Sequence, residues 1–307
     1  IVVKTGTAIE QLGKAKAIFF DKTGTITYGI PKLEYLKPIG NIEPDILLRN
    51  LAGIEQMSSH PAAKSVLILA EGKFGKLPNP ENFHEMPGAG VEGDIEGQHI
   101  VVGSENVFLK MNSKLSEDIQ NAKTQIDSNG KMLAFVTING NLSGILIFSD
   151  LIRPDVESMI HRLNNLGIKK ATMLTGDNLK NANNIAENAG ITTVHANLLP
   201  EQKVDIVKKA KEQYGNVIMV GDGINDAPSL ATATTGIAMG YGGTAISAAT
   251  SDIVLLVDDI TKVATAVEIS QHTSKIVKQG IIFGIGASFV LMGFASLGYI
   301  SPGYGAL

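Results

Sequence analysis

Apolar positions along the chain fall into two regimes. Between 150 and 257, short apolar runs rich in β-branched residues alternate with segments whose apolar residues recur at helical spacing. Strands are expected at 170–174, 216–220, 237–239 and 253–257. Helices are expected at 154–165, 179–189 and 200–214, opened by Pro154 and Pro200 and closed by Gly167, Gly190 and Gly215. This alternation is that of a doubly wound α/β parallel sheet, which the apolar run 17–20 joins. Residues 1–14 read as an approach helix, with Ala8, Ile9 and Leu12 on one face. Between 32 and 148 the pattern changes to helices at 43–56 and from Pro61 through Ala70. Hairpins are signalled around Gly97 and at Asn139-Gly140-Asn141, with strands at 132–138 and 142–148. That stretch is too long for a structureless loop, so it reads as an inserted α+β domain entered through a hinge at Tyr28-Gly29-Ile30-Pro31. From 261 to 278 the chain reads as a helix, and residues 280–300 follow without a charge. The expected organisation is therefore 1–31 with 149–260 as one domain, 32–148 as the insert, and 261–307 as a stalk and membrane segment.

An uncharged stretch of 21 residues is long enough to cross a bilayer core, and Lys275 and Lys278 before it suit a cytoplasmic flank. The reading is an integral membrane protein with cytoplasmic catalytic domains and lipid as a partner. A start at Ile1 without Met, with no basic segment preceding an apolar core, gives no signal peptide; the apolar end suggests a piece cut from a longer polypeptide. The formal net charge of −4, with dispersed basic residues, offers no nucleic-acid footprint. The absence of cysteine removes disulfides and thiolate metal sites, and the six histidines show no metal-ligand spacing.

The polar clusters that could carry chemistry all sit at strand ends. The run 17–20 delivers Asp21 into the tight polar loop Lys22-Thr23-Gly24-Thr25. The strand at 170–174 ends in Thr175-Gly176-Asp177, and that at 216–220 in Gly221-Asp222. Parallel strands place such ends along one edge of a sheet. A carboxylate at Asp21 can attack phosphorus and form an aspartyl phosphate. Asp21 and Asp222 can hold Mg²⁺, which takes one or two carboxylates plus phosphate and water. Thr175 and Lys203 can bind the transferred phosphoryl oxygens. Singly, Asn225 and Asp226 could equally cap a helix, and Lys203 could be solvated.

In the insert, Pro61 fixes a helix start and leaves His60 at an exposed corner, where a neutral imidazole can stack on a purine. Alone, a His before Pro is more often a cap or a surface residue. Met86-Pro87-Gly88-Ala89-Gly90 is a Gly-rich turn that would let a ligand approach the backbone.

The stretches 21–27 (Asp-Lys-Thr-Gly-Thr-Ile-Thr), Thr175-Gly176-Asp177 and 221–228 (Gly-Asp-Gly-Ile-Asn-Asp-Ala-Pro) resemble the signature set of the P-type ATPases, within the haloacid dehalogenase-like superfamily. The likeness spans nearly the whole chain, and His60-Pro61 resembles the nucleotide-binding domain of the heavy-metal branch. The resemblance implies a haloacid dehalogenase-like phosphorylation domain, ATP and Mg²⁺ as cofactors, and a transported metal cation. It implies that Asp21 is phosphorylated and that the Thr23 carbonyl and Asp222 help bind Mg²⁺. Lys22 falls within the phosphorylation motif. Thr175, Gly176, Asp177 and Lys203 would contact phosphate, with Asn225 and Asp226 in support. Glu55, His60, Gly88, Gly90 and Gly103 fall where the branch contacts adenine. This chain has Ser59 and Ser104 where the branch usually has Glu and Asn. Where the branch carries Tyr-Asn for copper, or Lys for zinc-type ions, this chain has Ala287 and Ser288, which supports neither ion. The alternative is a soluble phosphohydrolase of the same superfamily with the insert as a lid. Those enzymes commonly carry a second Asp two residues past the nucleophile, where this chain has Thr23.

Overall fold

The computed structural model describes residues 1–86, 89–109, 113–124, 131–222, 226–239, 249–297 and 299. By contacts the chain divides into two compact units, Ile1–Asp21 with Pro154–Gly176 and Ala189–Leu307, and Lys22–Arg153 with Asp177–Asn188.

Among the described residues of the first unit, seven strands form one sheet in the order β1-β13-β12-β11-β2-β9-β10. These are β1 (Val2–Val3), β2 (Ala17–Asp21), β9 (Lys170–Leu174), β10 (Thr193–His195), β11 (Val217–Gly221), β12 (Thr235–Met239) and β13 (Ile253–Leu255). Every pairing is parallel except that of β1 with β13. The central strands β2 and β11 are buried at every position, as expected for parallel strands covered on both faces. Helices α6 (Val156–Asn165) and α8 (Pro200–Tyr214) lie where apolar periodicity placed them, and the short α9 (Ala227–Thr232) adds to them. Val207 and Ala210 of α8 and Leu230 of α9 pack with Phe19, Met219 and Leu174 of the sheet. The N-terminal segment is β1 followed by α1 (Gly6–Gly13), shorter than the helix expected over 1–14, because Val2 and Val3 are drawn into the sheet edge.

The last helix, α10 (Thr261–Ser296), runs unbroken for 36 residues, about 54 Å at the helical rise. Its first turns are rooted in the unit. Arg162 of α6 donates to Glu268 at 3.0 Å, and the Gln271 amide donates to the Leu166 carbonyl at 2.8 Å. Beyond Ser270 its apolar side chains are exposed, and it is long and apolar enough to cross a membrane.

Among the described residues of the second unit, six strands form an antiparallel sheet in the order β3-β8-β7-β6-β5-β4. They are β3 (Thr27–Pro38), β4 (Glu81–Met86), β5 (Gly90–Ile95), β6 (Gln98–Gly103), β7 (Met132–Ile138) and β8 (Asn141–Ile152). Strict alternation sorts them into two layers. Ile100, Val102, Val136, Leu146 and Phe148 pack with α2 (Pro44–Glu55) and α3 (Pro61–Ala70). Val101, Phe135, Ile145 and Ile147 pack with Phe108 of α4 (Glu105–Leu109) and Ile119 of α5 (Ser113–Thr124). The turn signal at 28–31 falls inside β3. There the register with β8 slips between Thr27 and Pro31, a bulge that accommodates a residue lacking an N–H. The helix α7 (Leu179–Asn188) is grouped by contacts with this unit.

Candidate functional site

The parallel registers of the first unit fix which residues share an edge. Asp21 is level with Leu174, and Phe20 with Val220. Thr175 and Asp222 therefore follow the strand ends on either side of Asp21. Lys203 enters from the first turn of α8, where the Gln202 side chain accepts the Leu199 amide at 2.8 Å and holds the helix start. Its ammonium reaches Asp21 at 2.5 Å and Asp226 at 2.8 Å. Asp226 occupies the cap position of α9 but makes no capping bond with its side chain, which is turned onto Lys203 instead.

This group is buried, with Asp21 6% and Asp226 1% exposed. Burial and the negative charge of Asp226 push the Asp21 carboxyl up to about 7, against the pull of Lys203, and Asp222 adds to the rise. Burial works against the charge of Lys203, but its two carboxylate partners outweigh that and hold it above the usual lysine value. One ammonium thus faces a surplus of carboxylates. That donor set of hard oxygens with excess negative charge fits Mg²⁺ on its chemistry. Among the described residues no group of three or more His, Cys, Asp or Glu could enclose a metal, so the fit is to a cation that keeps water or phosphate ligands.

In the second unit, Lys22 begins a wide turn, Lys22–Ile26, in which Gly24 adopts φ +73°. The buried Lys22 ammonium bridges Asp150 and, at 2.5 Å, Asp177. The Asn181 amide donates to Asp177 at 2.9 Å and to Asp150 at 3.3 Å. Burial opposes the charge on Lys22, and the two carboxylates more than restore it. Thr23 follows in the same turn with ψ 129°. Sequence reading missed Asp150 and Asn181; an acidic residue near the end of β8, three positions ahead of Arg153-Pro154, was the available signal.

The second unit also holds a cavity of about 220 Å³ lined by Glu55, His60, Glu85, Gly90 and Gly103, with apolar side chains from the strands. The His60 Nδ1 accepts the Ala62 amide at 3.1 Å, so it caps α3 and lines the cavity at once. A neutral ring then carries its proton on Nε2. Gly88 and Asn225 lie outside the described residues. Gly90 and Gly103 are level partners across β5 and β6. A Cβ on Gly90 would stand 2.0 Å from the Val102 carbonyl oxygen, and one on Gly103 2.7 Å from the Ala89 oxygen. Gly90→Ala is expected to destabilise this unit by more than about 2 kcal/mol in denaturant unfolding, because backbone must move to admit it.

Glu55, 8% exposed, is pushed up to about 7 by burial and by the charge of Glu85. Below pH 4.5 its carboxyl is neutral in both folded and unfolded chains. Above that the unfolded chain ionises while the folded one keeps its proton. Stability should therefore fall between about pH 4.5 and 7, by on the order of 2–3 kcal/mol. Glu55→Gln should remove that slope in unfolding experiments run across the range.

A family model for haloacid dehalogenase-like hydrolases matches residues 15–234. A probable cadmium-transporting ATPase of Staphylococcus aureus is 36% identical over 95% of this chain and 41% of its own length. The structure of a zinc-transporting PIB-type ATPase in its E2.Pi state superposes with TM-score 0.80 at 32% identity, over 97% of this chain and 48% of that one. The catalytic domain of the CPx-ATPase CopB-B superposes with TM-score 0.69 at 30% identity, covering 87% of this chain and 94% of that domain. The chain belongs to the heavy-metal P-type ATPases, a haloacid dehalogenase-like family. It spans about two-fifths of the length of the curated heavy-metal ATPases it matches first. As in that family, a parallel sheet here carries an inserted antiparallel sheet and a C-terminal apolar helix.

Proposed function

We propose that the chain is the catalytic core of an ATP-driven pump for a heavy-metal cation. The observation that carries this reading is Asp21, a strand-end carboxylate buried against Lys203 and Asp226. ATP binds in the cavity of the inserted sheet, its purine beside Glu55 and His60 with Gly90 and Gly103 admitting it closely. An Asp21 oxygen attacks the γ-phosphorus; the bond to the β-phosphate oxygen breaks, leaving ADP and an aspartyl phosphate. Water later attacks that phosphorus and returns the carboxylate and inorganic phosphate. Lys203 neutralises charge on the transferred group, and Asp226 holds Lys203 in place. Thr175 and Gly176 border the same edge and contact phosphate. Asp21 and Asp222 would hold Mg²⁺, which when bound screens the repulsion between carboxylate and phosphoryl oxygens. Thr23, in place of a second acid, suits a phosphoenzyme that persists long enough to drive transport.

α10 crosses the membrane in contact with lipid, with Lys275 and Lys278 on the cytoplasmic side. Cadmium and zinc, the ions in the names of similar proteins, are the first to test. Membranes carrying the protein are incubated with Mg²⁺ and γ-labelled ATP while zinc or cadmium is titrated. Ion-dependent label that survives acid and is released by hydroxylamine is the expected result. Hydrolysis of small phosphoesters with no label from ATP would replace the pump with a phosphohydrolase.

A further inference from the structure

We propose that Glu85, held by Ser58 and Ser59 at the purine cavity, is a specificity-determining residue that makes the cavity discriminate against guanine nucleotides. The inference rests on the nucleotide-binding reading above and concerns which purine that cavity accepts.

Two carboxylates line the cavity, Glu55 from the end of α2 and Glu85 from β4. Three donors fix Glu85. The Ser58 hydroxyl reaches it at 3.1 Å, the Ser59 hydroxyl at 3.2 Å and the Ser59 amide at 3.3 Å. His60, from the start of α3, is the other titratable side chain among the described lining; β5 to β8 contribute glycines and apolar groups. Two neighbouring carboxylates do not both ionise cheaply in such a setting, and the more buried one keeps the proton. Burial and the charge of Glu85 act in the same direction on Glu55.

The proton on Glu55 decides which purine fits. A neutral carboxyl accepts with one oxygen and donates with the other. It therefore pairs with the amino group and N1 of adenine through two hydrogen bonds. Against guanine it can pair with O6 and N1–H, but it gives the 2-amino group no acceptor, and that group must be desolvated in a cavity lined mainly by apolar side chains. An ionised Glu55 reverses the preference. It offers nothing to adenine N1, yet matches guanine N1–H and the 2-amino group with two charge-assisted bonds. Burial first, and the charge of Glu85 beside it, favour the neutral form of Glu55 and so bias the cavity toward adenine.

The test uses Glu85→Gln, whose amide oxygen can still accept from Ser58 and Ser59 while the charge is gone. Calorimetric titration of the 307-residue chain in detergent with ADP and with GDP, from about pH 6 to 8.5, gives the preference at each pH. The unsubstituted chain should prefer ADP, with the preference shrinking as pH rises. In Glu85→Gln that decline should begin at lower pH, lowering the ADP-over-GDP ratio at pH 7.5 by about tenfold if the carboxyl moves by one unit. Glu55→Gln, which imitates the neutral acid, should hold the preference flat across the range, and adding Glu85→Gln to it should change nothing further. Comparison between variants cancels the titration of phosphate. An unchanged ratio and pH profile in Glu85→Gln, with ADP still bound, overturns this inference alone, as does an equal loss of both nucleotides. Failure of the unsubstituted chain to bind either nucleotide overturns the nucleotide-binding reading as well.

Discussion

Asp21→Asn is expected to abolish acid-stable labelling from ATP, by more than about 10³-fold, since a neutral amide cannot form the acyl phosphate and no other group takes over its bond. The fold should survive. The substitution removes one of the carboxylates crowding Lys203, and the 2.8 Å bond from Lys203 to Asp226 remains to satisfy the ammonium. Burial and Asp226 already work against the charge on Asp21, so losing that charge relieves repulsion as well as removing a partner. Unfolding midpoints near those of the unsubstituted protein, together with lost label, are the expected pair of results. Label that persists in Asp21→Asn would remove Asp21 from the chemistry and the transfer scheme with it.

Much of this was legible because the parallel-sheet unit obeys local rules throughout. β9 and α8 fall where apolar runs and Pro or Gly punctuation place them. Strand ends follow from there, and sheet registry brings Asp21, Thr175 and Asp222 to one edge. What stayed hidden depends on tertiary context. β4 (Glu-Asn-Phe-His-Glu-Met) is a polar edge strand, so it lacks the apolar run that marks a buried one. β3 carries Gly29 and Pro31 within a bulge, where they read as a hinge. β10, only three residues long, is a strand because β9 supplies its ladder. The roles of Glu85, Asp150 and Asn181 depend on contacts with residues 27 to 128 positions away, which no spacing rule reveals.

Replacing Lys203 by Met is the change expected to do most harm to the phosphorylation unit. The Lys203 ammonium stands between Asp21 and Asp226, and both carboxylates are buried. Removing one member of a buried ionic group costs about 3–5 kcal/mol, because the charges left behind are uncompensated. The pH dependence identifies the cause. Lys203 is the group that pulls the Asp21 carboxyl down, so without it Asp21 holds its proton more tightly in the folded chain than in the unfolded one. Its contribution is then fully present below the unfolded value, near about pH 4, and lost as pH rises through the higher folded value. The destabilisation should accordingly be larger at about pH 8 than at about pH 5, and adding Asp226→Asn to Lys203→Met should recover part of it at the higher pH. Denaturant unfolding at the two pH values, with labelling from ATP measured in parallel, separates stability from catalysis. Lys203→Arg should not restore labelling, since a planar guanidinium fork does not fit a pocket shaped around a compact ammonium. Equal destabilisation at both pH values, with no rescue by Asp226→Asn, would mean that Lys203 acts through packing of its stem, and the charge balance assigned to Asp21 would have to be abandoned.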